Sequence, residues 1–349
     1  MLNWRDLLVS PQTPIINTLE IIDKNARQIA LVVDNKDRLL GTVTDGDIRR
    51  GLLKGRDLQE EISTVMNPYP TVASPYDNRE DILALMRIKQ IHQIPIVDED
   101  GRIIHVEILD ELLRPKQKDN WVVLMAGGLG TRLQPLTYDC PKPLLKVGNK
   151  PILETILQSF IDQGFHKFYI SVKYKAEMIQ GYFGNGDRWG VTIRYLYEQE
   201  SLGTAGALSL LPERPNNSFI VMNGDLLTKV HFEQLLDFHK TYQAYATMCV
   251  REYDHQIPYG VVRLEKQRLT SIEEKPMQRF FVNAGIYVLN PNVLDYIKHN
   301  QYLDMPSLFE ELMQEEKNTI AFPIREYWLD IGRMTDYEKA NKEYMEVFS

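Results

Sequence analysis

Residues 121–145 begin with a short apolar run, which is followed by three glycines and two cationic side chains. The run Trp121–Met125 predicts a buried strand. Glycine lets the backbone approach a ligand and reach positive φ, so that successive N–H groups can converge on an anion. Arg132 and Lys142 add positive charge beside that loop. This combination indicates a polyphosphate site, and the glycines in it are Gly127, Gly128 and Gly130.

Two common phosphate-binding motifs do not fit this loop. The Walker A spacing G-x-x-x-x-G-K-[ST] is absent, and a dinucleotide fingerprint beginning at Gly128 would need a third glycine where Leu133 stands. A pair of glycines after a strand is also consistent with a tight turn. The loop alone therefore indicates an anion site without identifying the anion.

The whole run resembles the signature of the sugar-1-phosphate nucleotidyltransferases, roughly L-A-G-G-x-G-T-R-L-x-P-L-T…P-K-P-L, with Met125 where leucine is usual. The matching residues are Ala126, Gly127, Gly128, Gly130, Thr131, Arg132, Leu133, Pro135, Leu136, Thr137, Pro141, Lys142, Pro143 and Leu144. The resemblance implies that Arg132 and the loop amides hold the leaving pyrophosphate and that Lys142 stabilises charge at the α-phosphate. It implies nucleotide contacts at Met125, Ala126, Gly127, Gly128, Gly130 and Thr131.

A second glycine-containing segment, Glu198–Ala207, follows another predicted strand. Its glycines would let the backbone lie against a flat base, although an ordinary strand-to-helix turn with Thr204 as N-cap fits equally. The resemblance implies that this segment frames the nucleobase. Its form L-G-T-A-G-A looks most like members that use GTP, while CTP, UTP and dTTP remain alternatives. The implied nucleotide contacts are Glu198, Gly203, Thr204 and Ala205.

Two aspartates in apolar surroundings are candidate metal ligands. Asp225 ends the buried run Phe219–Asp225, where its carboxylate would suit Mg²⁺, although Asn-Gly-Asp can also form a turn. Asp330 lies in Trp328–Gly332, where an unpaired carboxylate would be costly. The resemblance implies that Asp225 and Asp330 together hold Mg²⁺.

Residues 259–276 contain the candidate sugar-phosphate contacts. Taken alone, the charged residues Glu273–Lys275 near the end of this segment would form a solvent-exposed cluster. The resemblance implies that Lys275 meets the sugar's phosphate, that Glu274 accepts hydrogen bonds from hydroxyls and that Gly260 leaves room for the pyranose. Asn283 is a further implied sugar contact.

The first 114 residues contain an internal repeat, in which residues 28–50 and 92–114 are alike at an offset of 64. Each copy has a β-rich run, a polar turn, a second β-rich run and a helix start. An amphipathic helix is predicted before each copy. The pattern resembles a pair of CBS domains, a module that often binds adenine nucleotides between its repeats.

The resemblance implies one intact regulatory nucleotide site, at Thr44 and Asp47. The second repeat has Ile108 and Glu111 at the corresponding positions. Thr44 and Asp47 would equally suit a helix N-terminus, where such residues cap exposed N–H groups. The pair could also serve only in assembly, since CBS pairs commonly associate face to face.

The polar segment 115–120 predicts a linker. We therefore expect tandem CBS domains over 1–116, divided at about 60, and a nucleotidyltransferase domain over 120–349. Alternating predicted strands and helices in the second part favour an α/β fold with a mostly parallel sheet. The resemblance implies that this sheet is mixed, Rossmann-like and of the GT-A-like kind. From Asn290 onward the pattern predicts mainly helix.

Composition excludes several classes of protein. The net charge of −8 argues against a nucleic-acid binder, and two cysteines form neither a disulfide framework nor a zinc site. No secretory signal and no apolar run long enough to span a bilayer are visible, so we expect a cytoplasmic protein without membrane partners.

The expected reaction is transfer of GMP from GTP to a sugar 1-phosphate, with release of pyrophosphate. Nucleotidyltransferases that are fused to CBS domains resemble the hexosamine-1-phosphate guanylyltransferases of bacterial legionaminic acid synthesis. We therefore expect glucosamine 1-phosphate as the acceptor, with mannose 1-phosphate as the alternative. A non-catalytic nucleotide-sensing regulator would have lost catalytic residues that are present here. The CBS pair also predicts a homo-oligomer. Catalysis is expected to depend on Arg132, Lys142, Asp225 and Lys275.

Overall fold

The computed structural model describes residues 4–25, 27–113 and 115–348. The backbone contacts divide the chain into two compact units, Met1–Pro115 and Lys116–Ser349. The division lies at the start of the segment that the sequence indicates as a linker. Within the described ranges, no helix is both long enough and apolar enough to cross a membrane.

The first unit repeats one arrangement of a helix, an antiparallel strand pair and a second helix. The first copy consists of β1 (Leu8–Val9), α1 (Ile15–Asn25), β2 (Ile29–Val33), β3 (Leu39–Thr44) and α2 (Asp45–Leu53). The second copy consists of α3 (Arg79–Lys89), β4 (Gln93–Val97), β5 (Ile103–Ile108) and α4 (Leu109–Leu113). Corresponding elements begin 64 residues apart, as the sequence repeat predicts. Arg114, the last residue of that repeat, lies outside the described residues.

The two copies are joined through the turns of their strand pairs. The Leu39 amide donates to the Gly101 carbonyl at 2.9 Å, and the Ile103 amide donates to the Asp37 carbonyl at 3.2 Å. Buried apolar side chains from β2 and β5 pack in one cluster. The repeat is therefore a single packed module built from two related halves.

The second unit is built around one large sheet with helices on both faces. Its strands are β6 (Lys118–Met125), β7 (Lys146–Val147), β8 (Lys150–Pro151), β9 (Phe165–Val172), β10 (Thr192–Tyr197), β11 (Phe219–Asn223), β12 (Leu226–Thr228), β13 (Ala246–Gln256), β14 (Val261–Glu265), β15 (Arg268–Glu273), β16 (Met277–Leu289), β17 (Thr319–Ile324) and β18 (Trp328–Asp330). Its helices are α5 (Ile152–Ile161), α6 (Ala176–Phe183), α7 (Gly203–Gly206), α8 (Phe232–Thr241), α9 (Met305–Gln314) and α10 (Met334–Phe348).

The central sheet has the strand order β10-β9-β6-β11-β16-β13-β17. Only β16 runs antiparallel to its neighbours, β11 and β13. The predicted α/β fold with a mostly parallel mixed sheet is confirmed. Helix predominates after Asn290, as predicted, but two strands that the sequence did not indicate also lie there, where β17 pairs with β13 and β18 pairs with β12. These partners are distant in the chain, so the local pattern did not reveal them.

Alternating side chains on the central strands supply two separate cores. On β11, Ile220 and Met222 join the core on one face, and Phe219 and Val221 join the core on the other. Such alternation follows from the two-residue period of a strand. Helices cover both faces, and the carboxyl ends of the parallel strands remain free to form a site.

A buried histidine in this unit should make stability depend on pH. His239 on α8 is 3% exposed, and its ring nitrogens lie 2.8 Å from Thr247 Oγ1 and 3.1 Å from Ser218 Oγ. Burial lowers the pKa of His239 from 6.5 to about 4. Between these two values the unfolded chain binds a proton that the folded chain does not, so stability falls as pH falls.

We expect this effect to be about 2–4 kcal/mol once the pH has fallen through the folded pKa. A His239→Gln variant cannot titrate there, so its thermal unfolding midpoint should fall less steeply from pH 6.5 to pH 4 than that of the unmodified protein. The exposed His255 provides the control, since His255→Gln should leave the slope unchanged. Parallel slopes for all three proteins would contradict the prediction.

Candidate active site

The candidate site lies along the carboxyl edge of the central sheet. Met125 ends β6, Asn223 ends β11, and these two residues are paired in register. Val172 ends β9 and pairs with Tyr197, the last residue of β10, directly before Glu198. The loops that carry the predicted site residues therefore leave the sheet at one edge, where ligands of open α/β sheets bind.

Lys142 and Asp225 form an ion pair at this edge. Lys142 opens a short 3-10 turn and is 9% exposed, so its ammonium group is held in place. Its Nζ lies 2.5 Å from Asp225 Oδ2. Asp225 Oδ1 is buried and has no hydrogen-bond partner among the described residues. An unsatisfied buried carboxylate oxygen is costly, which indicates that a further ligand belongs there.

Asp330 lies beside Asp225, because β18 pairs with β12. Leu226 is opposite Asp330 in that pairing, and the Ile331 amide donates to the Asp225 carbonyl at 3.0 Å. Partial desolvation and then the nearby Asp225 carboxylate raise the pKa of Asp330, while Lys142 and Arg132 oppose that shift. The sequence predicted a carboxylate enclosed by apolar neighbours. In the structure the neighbours Leu329 and Ile331 are buried, whereas Asp330 itself is exposed.

The two carboxylates fit a Mg²⁺ ion that is shared with substrate phosphates. In the part of the chain that the structure describes, no group of three or more His, Cys, Asp or Glu residues could form an all-protein cage. Mg²⁺ commonly uses one or two carboxylates and completes its shell with water and phosphate oxygens. The partnerless Asp225 Oδ1 and the proximity of Asp330 match that arrangement.

Arg132 adds a second cation to this group of charges. It is exposed in the 3-10 turn Thr131–Leu133. A Cβ placed on Gly332 would lie 3.7 Å from Arg132 Nη1 and 3.6 Å from Asp330 Oδ2, so the guanidinium and this carboxylate face the same space. The structure thus brings together Arg132, Lys142, Asp225 and Asp330, as the sequence predicted.

The glycine loop begins where β6 leaves the sheet. The Ala126 amide donates to the Ser171 carbonyl at 2.9 Å, which holds the start of the loop against β9. Gly130 has a φ of +66°, a conformation that glycine adopts readily, and Thr137 Oγ1 donates to its carbonyl at 2.9 Å. The loop can therefore turn back and leave its amides free for an anion.

Gly127 is required for a different reason, its close approach to Glu198. A Cβ at Gly127 would lie 2.6 Å from Glu198 Oε1. Glu198 cannot easily move away, because its Oε1 accepts from Ser171 Oγ at 2.5 Å and its Oε2 accepts from the Leu202 amide at 3.0 Å. The glycine loop and the predicted base segment are thus in direct contact.

We expect Gly127→Ala to destabilise the nucleotide-free protein by about 1–3 kcal/mol, because the added methyl group overpacks this contact. The matched control is Gly128→Ala, since a Cβ at Gly128 would meet nothing within 4 Å. Thermal unfolding without nucleotide should show a lower midpoint for Gly127→Ala alone. Equal midpoints for the two variants would contradict the described contact.

The second glycine-containing segment is packed against a distant part of the chain. A Cβ at Gly203 would lie 2.5 Å from the Leu303 carbonyl oxygen, and one at Gly206 would lie 2.4 Å from that of Gln301. The Ala205 and Gly206 amides donate to the Leu303 carbonyl at 3.0 Å and 2.8 Å. These glycines therefore serve close backbone packing, which the sequence did not indicate.

One expectation for this segment, the N-cap at Thr204, is wrong. The Thr204 hydroxyl does not cap its own helix but accepts from the Met305 amide at 2.9 Å, at the start of α9. The helix α7 is short, since it ends at Gly206 and a 3-10 turn follows over Ala207–Leu210. The packing against Leu303 accounts for the short helix.

Three of the predicted sugar contacts directly flank the β14–β15 hairpin, and the fourth, Asn283, lies on β16. Gly260 and Glu274 are close, since a Cβ on Gly260 would lie 2.9 Å from Glu274 Oε2. Lys275 is exposed with a φ of +47° and makes no hydrogen bond or ion pair with the residues described. Asn283 is exposed, but its Oδ1 accepts from the Gly285 amide at 2.9 Å and its Nδ2 donates to the Tyr287 hydroxyl at 2.8 Å. The structure thus does not bring Lys275 into contact with the charged group around Asp225.

Three residues at this edge were not predicted from the sequence. Ser171 is the second-last residue of β9 and bonds Glu198, while Lys173 directly follows the strand and its Nζ donates to Ser201 Oγ at 3.0 Å. Asn223 is the third, and its amide lies next to Gly285. All three lie at or just after the end of a predicted strand. The sequence could therefore have indicated them, because polar residues at the ends of parallel strands meet at one edge of the sheet.

In the first unit, Thr44 and Asp47 interact mainly with each other. Asp47 Oδ2 accepts from the Thr44 amide at 2.9 Å and from the Thr44 hydroxyl at 2.7 Å, while Oδ1 accepts from Arg50 Nη2 at 2.6 Å. This is the helix-capping role that the sequence left open. The counterpart Glu111 pairs with Arg27 at 2.5 Å. Asp47 also borders a cavity of about 640 Å³ whose charged lining includes Arg50, Lys54 and Arg56.

Comparison with known families matches both units. The family model described as nucleotidyl transferase matches residues 121–347, and the model described as CBS domain matches residues 3–54 and 61–106. The mannose-1-phosphate guanyltransferase of Candida albicans is 32% identical over 236 residues, which cover 65% of this chain and 65% of that protein. The mannose-1-phosphate guanylyltransferase catalytic subunit beta of Drosophila melanogaster is 34% identical over 223 residues, covering 62% and 60%. This chain thus spans less than two thirds of the length of these relatives.

Solved structures share the fold of the second unit. The structure of HddC from Yersinia pseudotuberculosis complexed with GMP-PN has a TM-score of 0.52 and 27% identity, and the match covers 64% of this chain and 99% of that one. A second solved structure, of a protein from Bacillus anthracis at 23% identity, matches with a TM-score of 0.51 and supports the fold alone.

Proposed function

Because the chain belongs to the nucleotidyl transferase family and carries two CBS domains, we propose that it transfers GMP from GTP to a sugar 1-phosphate and releases pyrophosphate. The observation that carries this proposal is the convergence of Arg132, Lys142, Asp225 and Asp330 beside the glycine loop. The two cations would bind phosphate, and the two carboxylates would hold Mg²⁺ beside them.

The reaction needs no general base, because the sugar phosphate is already an anionic nucleophile. Its oxygen attacks the α-phosphorus, the bond from the α-phosphorus to the bridging oxygen breaks, and pyrophosphate leaves with the electron pair. The obstacle is repulsion between two polyanions, so positioning and electrostatic stabilisation carry the catalysis. Mg²⁺ bound by Asp225 and Asp330 would supply neutralising charge between the phosphates.

Each residue has a distinct role in this proposal. Arg132 and the amides of the glycine loop hold the leaving pyrophosphate. Lys142, held rigidly by its burial, stabilises the charge that develops at the α-phosphate. Lys275, which is exposed, would aim the incoming phosphate. Glu274, Gly260 and Asn283 contact the sugar.

For the nucleotide, guanine is supported by the names of the relatives and by the ligand in the HddC structure. Glu198, Gly203, Thr204 and Ala205 would frame the base. For the acceptor, the names of the relatives favour mannose 1-phosphate, which the sequence offered as the alternative. Glucosamine 1-phosphate, the first acceptor from the sequence, rests on the CBS fusion alone. CTP, UTP and dTTP stay as alternatives.

The test is a pyrophosphate-release screen with purified full-length protein. GTP, CTP, UTP, dTTP and ATP are each combined with mannose, glucosamine and glucose 1-phosphates in the presence of Mg²⁺. We expect turnover with GTP and one hexose 1-phosphate and none after chelation of the metal. Absence of pyrophosphate with every pair would contradict the proposed function.

For the first unit, we propose an adenine-nucleotide effector bound near Thr44 and Asp47, where the cationic lining of the neighbouring cavity would suit phosphate. Calorimetry with a nucleotide panel tests it, and Asp47→Ala should abolish the heat. Asn78→Ala is the matched control, because Asn78 caps α3 by accepting from the Asp81 amide. If the unmodified protein shows no heat and no kinetic effect, only an assembly role remains. A homo-oligomer and a cytoplasmic location stay predictions of the sequence.

A further inference from the structure

The amide of Asn223 has unused hydrogen-bonding capacity at the catalytic edge. Asn223 is the last residue of β11, two positions before Asp225. Its Oδ1 is buried, and neither amide atom makes a hydrogen bond with any of the residues described. A carboxamide offers two donors and an acceptor with two lone pairs, and buried polar atoms are nearly always paired. An asparagine kept only for the fold would be expected to show such bonds.

The surroundings of Asn223 connect it to the predicted sugar contacts. A Cβ on Gly285 would lie 2.7 Å from Asn223 Nδ2, so the absence of a side chain at Gly285 makes room for this amide. The Gly285 amide donates to Asn283 Oδ1, and Asn283 Nδ2 donates to the Tyr287 hydroxyl. Asn283 is thus already bonded through both amide atoms. Asn223 is the neighbouring amide that is free to bind a ligand.

The chemistry of the amide indicates a hydroxyl group as its partner. Phosphate groups at this edge have the cations Lys142 and Arg132 available to them, whereas Asn223 is uncharged. A neutral amide both donates and accepts, as does an alcohol. We propose, on the basis of the proposed function, that Asn223 binds a ring hydroxyl of the sugar 1-phosphate and thereby helps to determine which sugar is accepted.

The experiment compares Asn223→Ala with the unmodified protein on the best sugar 1-phosphate and on its 2-, 3-, 4- and 6-deoxy analogues. In the unmodified protein, the analogue that lacks the bound hydroxyl should raise KM by about tenfold, the loss expected for one hydrogen bond to a neutral group. In Asn223→Ala, KM for the parent sugar should rise by about the same factor, and the penalty for that one analogue should disappear. KM for GTP should not change.

Two controls separate this role from a structural one. Asn120→Ala removes another side-chain amide on a strand, whose Nδ2 donates to the Ser218 carbonyl at 2.7 Å at the opposite edge of the sheet. This variant should leave KM unchanged for every sugar 1-phosphate. If Asn223→Ala unfolds, Asn223→Leu, which is close in size but forms no side-chain hydrogen bond, is assayed in its place, and the same analogue should lose its penalty.

The outcomes are distinguishable. Turnover by the unmodified protein with the same deoxy penalties in the Asn223 variant would overturn the role of Asn223 and leave the proposed function intact. No turnover by the unmodified protein on any sugar 1-phosphate would instead contradict the proposed function, on which this inference rests.

Discussion

Replacing Lys142 with alanine should lower the rate of pyrophosphate release by a factor of about 10²–10³, the usual effect of removing one preorganised charge from a site of this kind. Lys142 is the most buried cation at the carboxyl edge, and its Nζ is fixed 2.5 Å from Asp225. A buried charge needs no reorganisation when the transition state forms. The loss should therefore appear in kcat as well as in kcat/KM.

The control for this variant is Lys146→Ala, four residues further along on an exposed side chain. Single-turnover and steady-state assays at saturating GTP would compare the two proteins, with the thermal midpoint of each measured beside them. Lys146→Ala should retain full turnover. Near-normal turnover of folded Lys142→Ala would contradict the proposed role, and so would an equal loss in both variants.

Asp225→Asn should have a comparable effect, and it should also weaken the apparent affinity of the enzyme for Mg²⁺. The substitution keeps the size of the side chain but removes the negative charge that pairs with Lys142 and faces the same space as Asp330. Because Mg²⁺ prefers carboxylate oxygens, the Mg²⁺ concentration for half-maximal rate should rise at least tenfold. The maximal rate should fall by about 10²–10³.

A magnesium titration of pyrophosphate release measures both quantities for Asp225→Asn. The exposed Asp237 on α8 provides the matched control, and Asp237→Asn should behave as the unmodified protein. A variant with normal Mg²⁺ dependence and a low rate would indicate that Asp225 serves only to position Lys142. A normal rate would contradict the assignment of the site.

The charges of the site were predictable from sequence because they lie in short motifs that follow strands. Lys142 and Asp225 are separated by 83 positions, yet the parallel sheet brings their strand ends together. The repeat of the first unit was predictable for a similar reason, since an offset repeated in four elements is visible without knowledge of the fold.

Contacts between distant backbone segments could not be predicted in this way. The reason for glycine at 203 is the carbonyl of Leu303, and nothing in the local pattern identifies that partner. The Gly127–Glu198 contact is hidden for the same reason. The edge strand β17 was missed because its six residues form a strand only by pairing with β13.

The contact between Gly203 and Leu303 has a practical meaning for engineering. The turn at Gly203 and the segment Gln301–Leu303 interlock through backbone atoms, including the Leu303 amide, which donates to the Leu202 carbonyl at 2.9 Å. If the loop around Gly203 were replaced by that of a relative with another base preference, its backbone would not pack correctly unless residues 301–303 were replaced with it. If the segment Glu198–Ala207 frames the base as proposed, an exchange of nucleotide preference would require both segments to be replaced together.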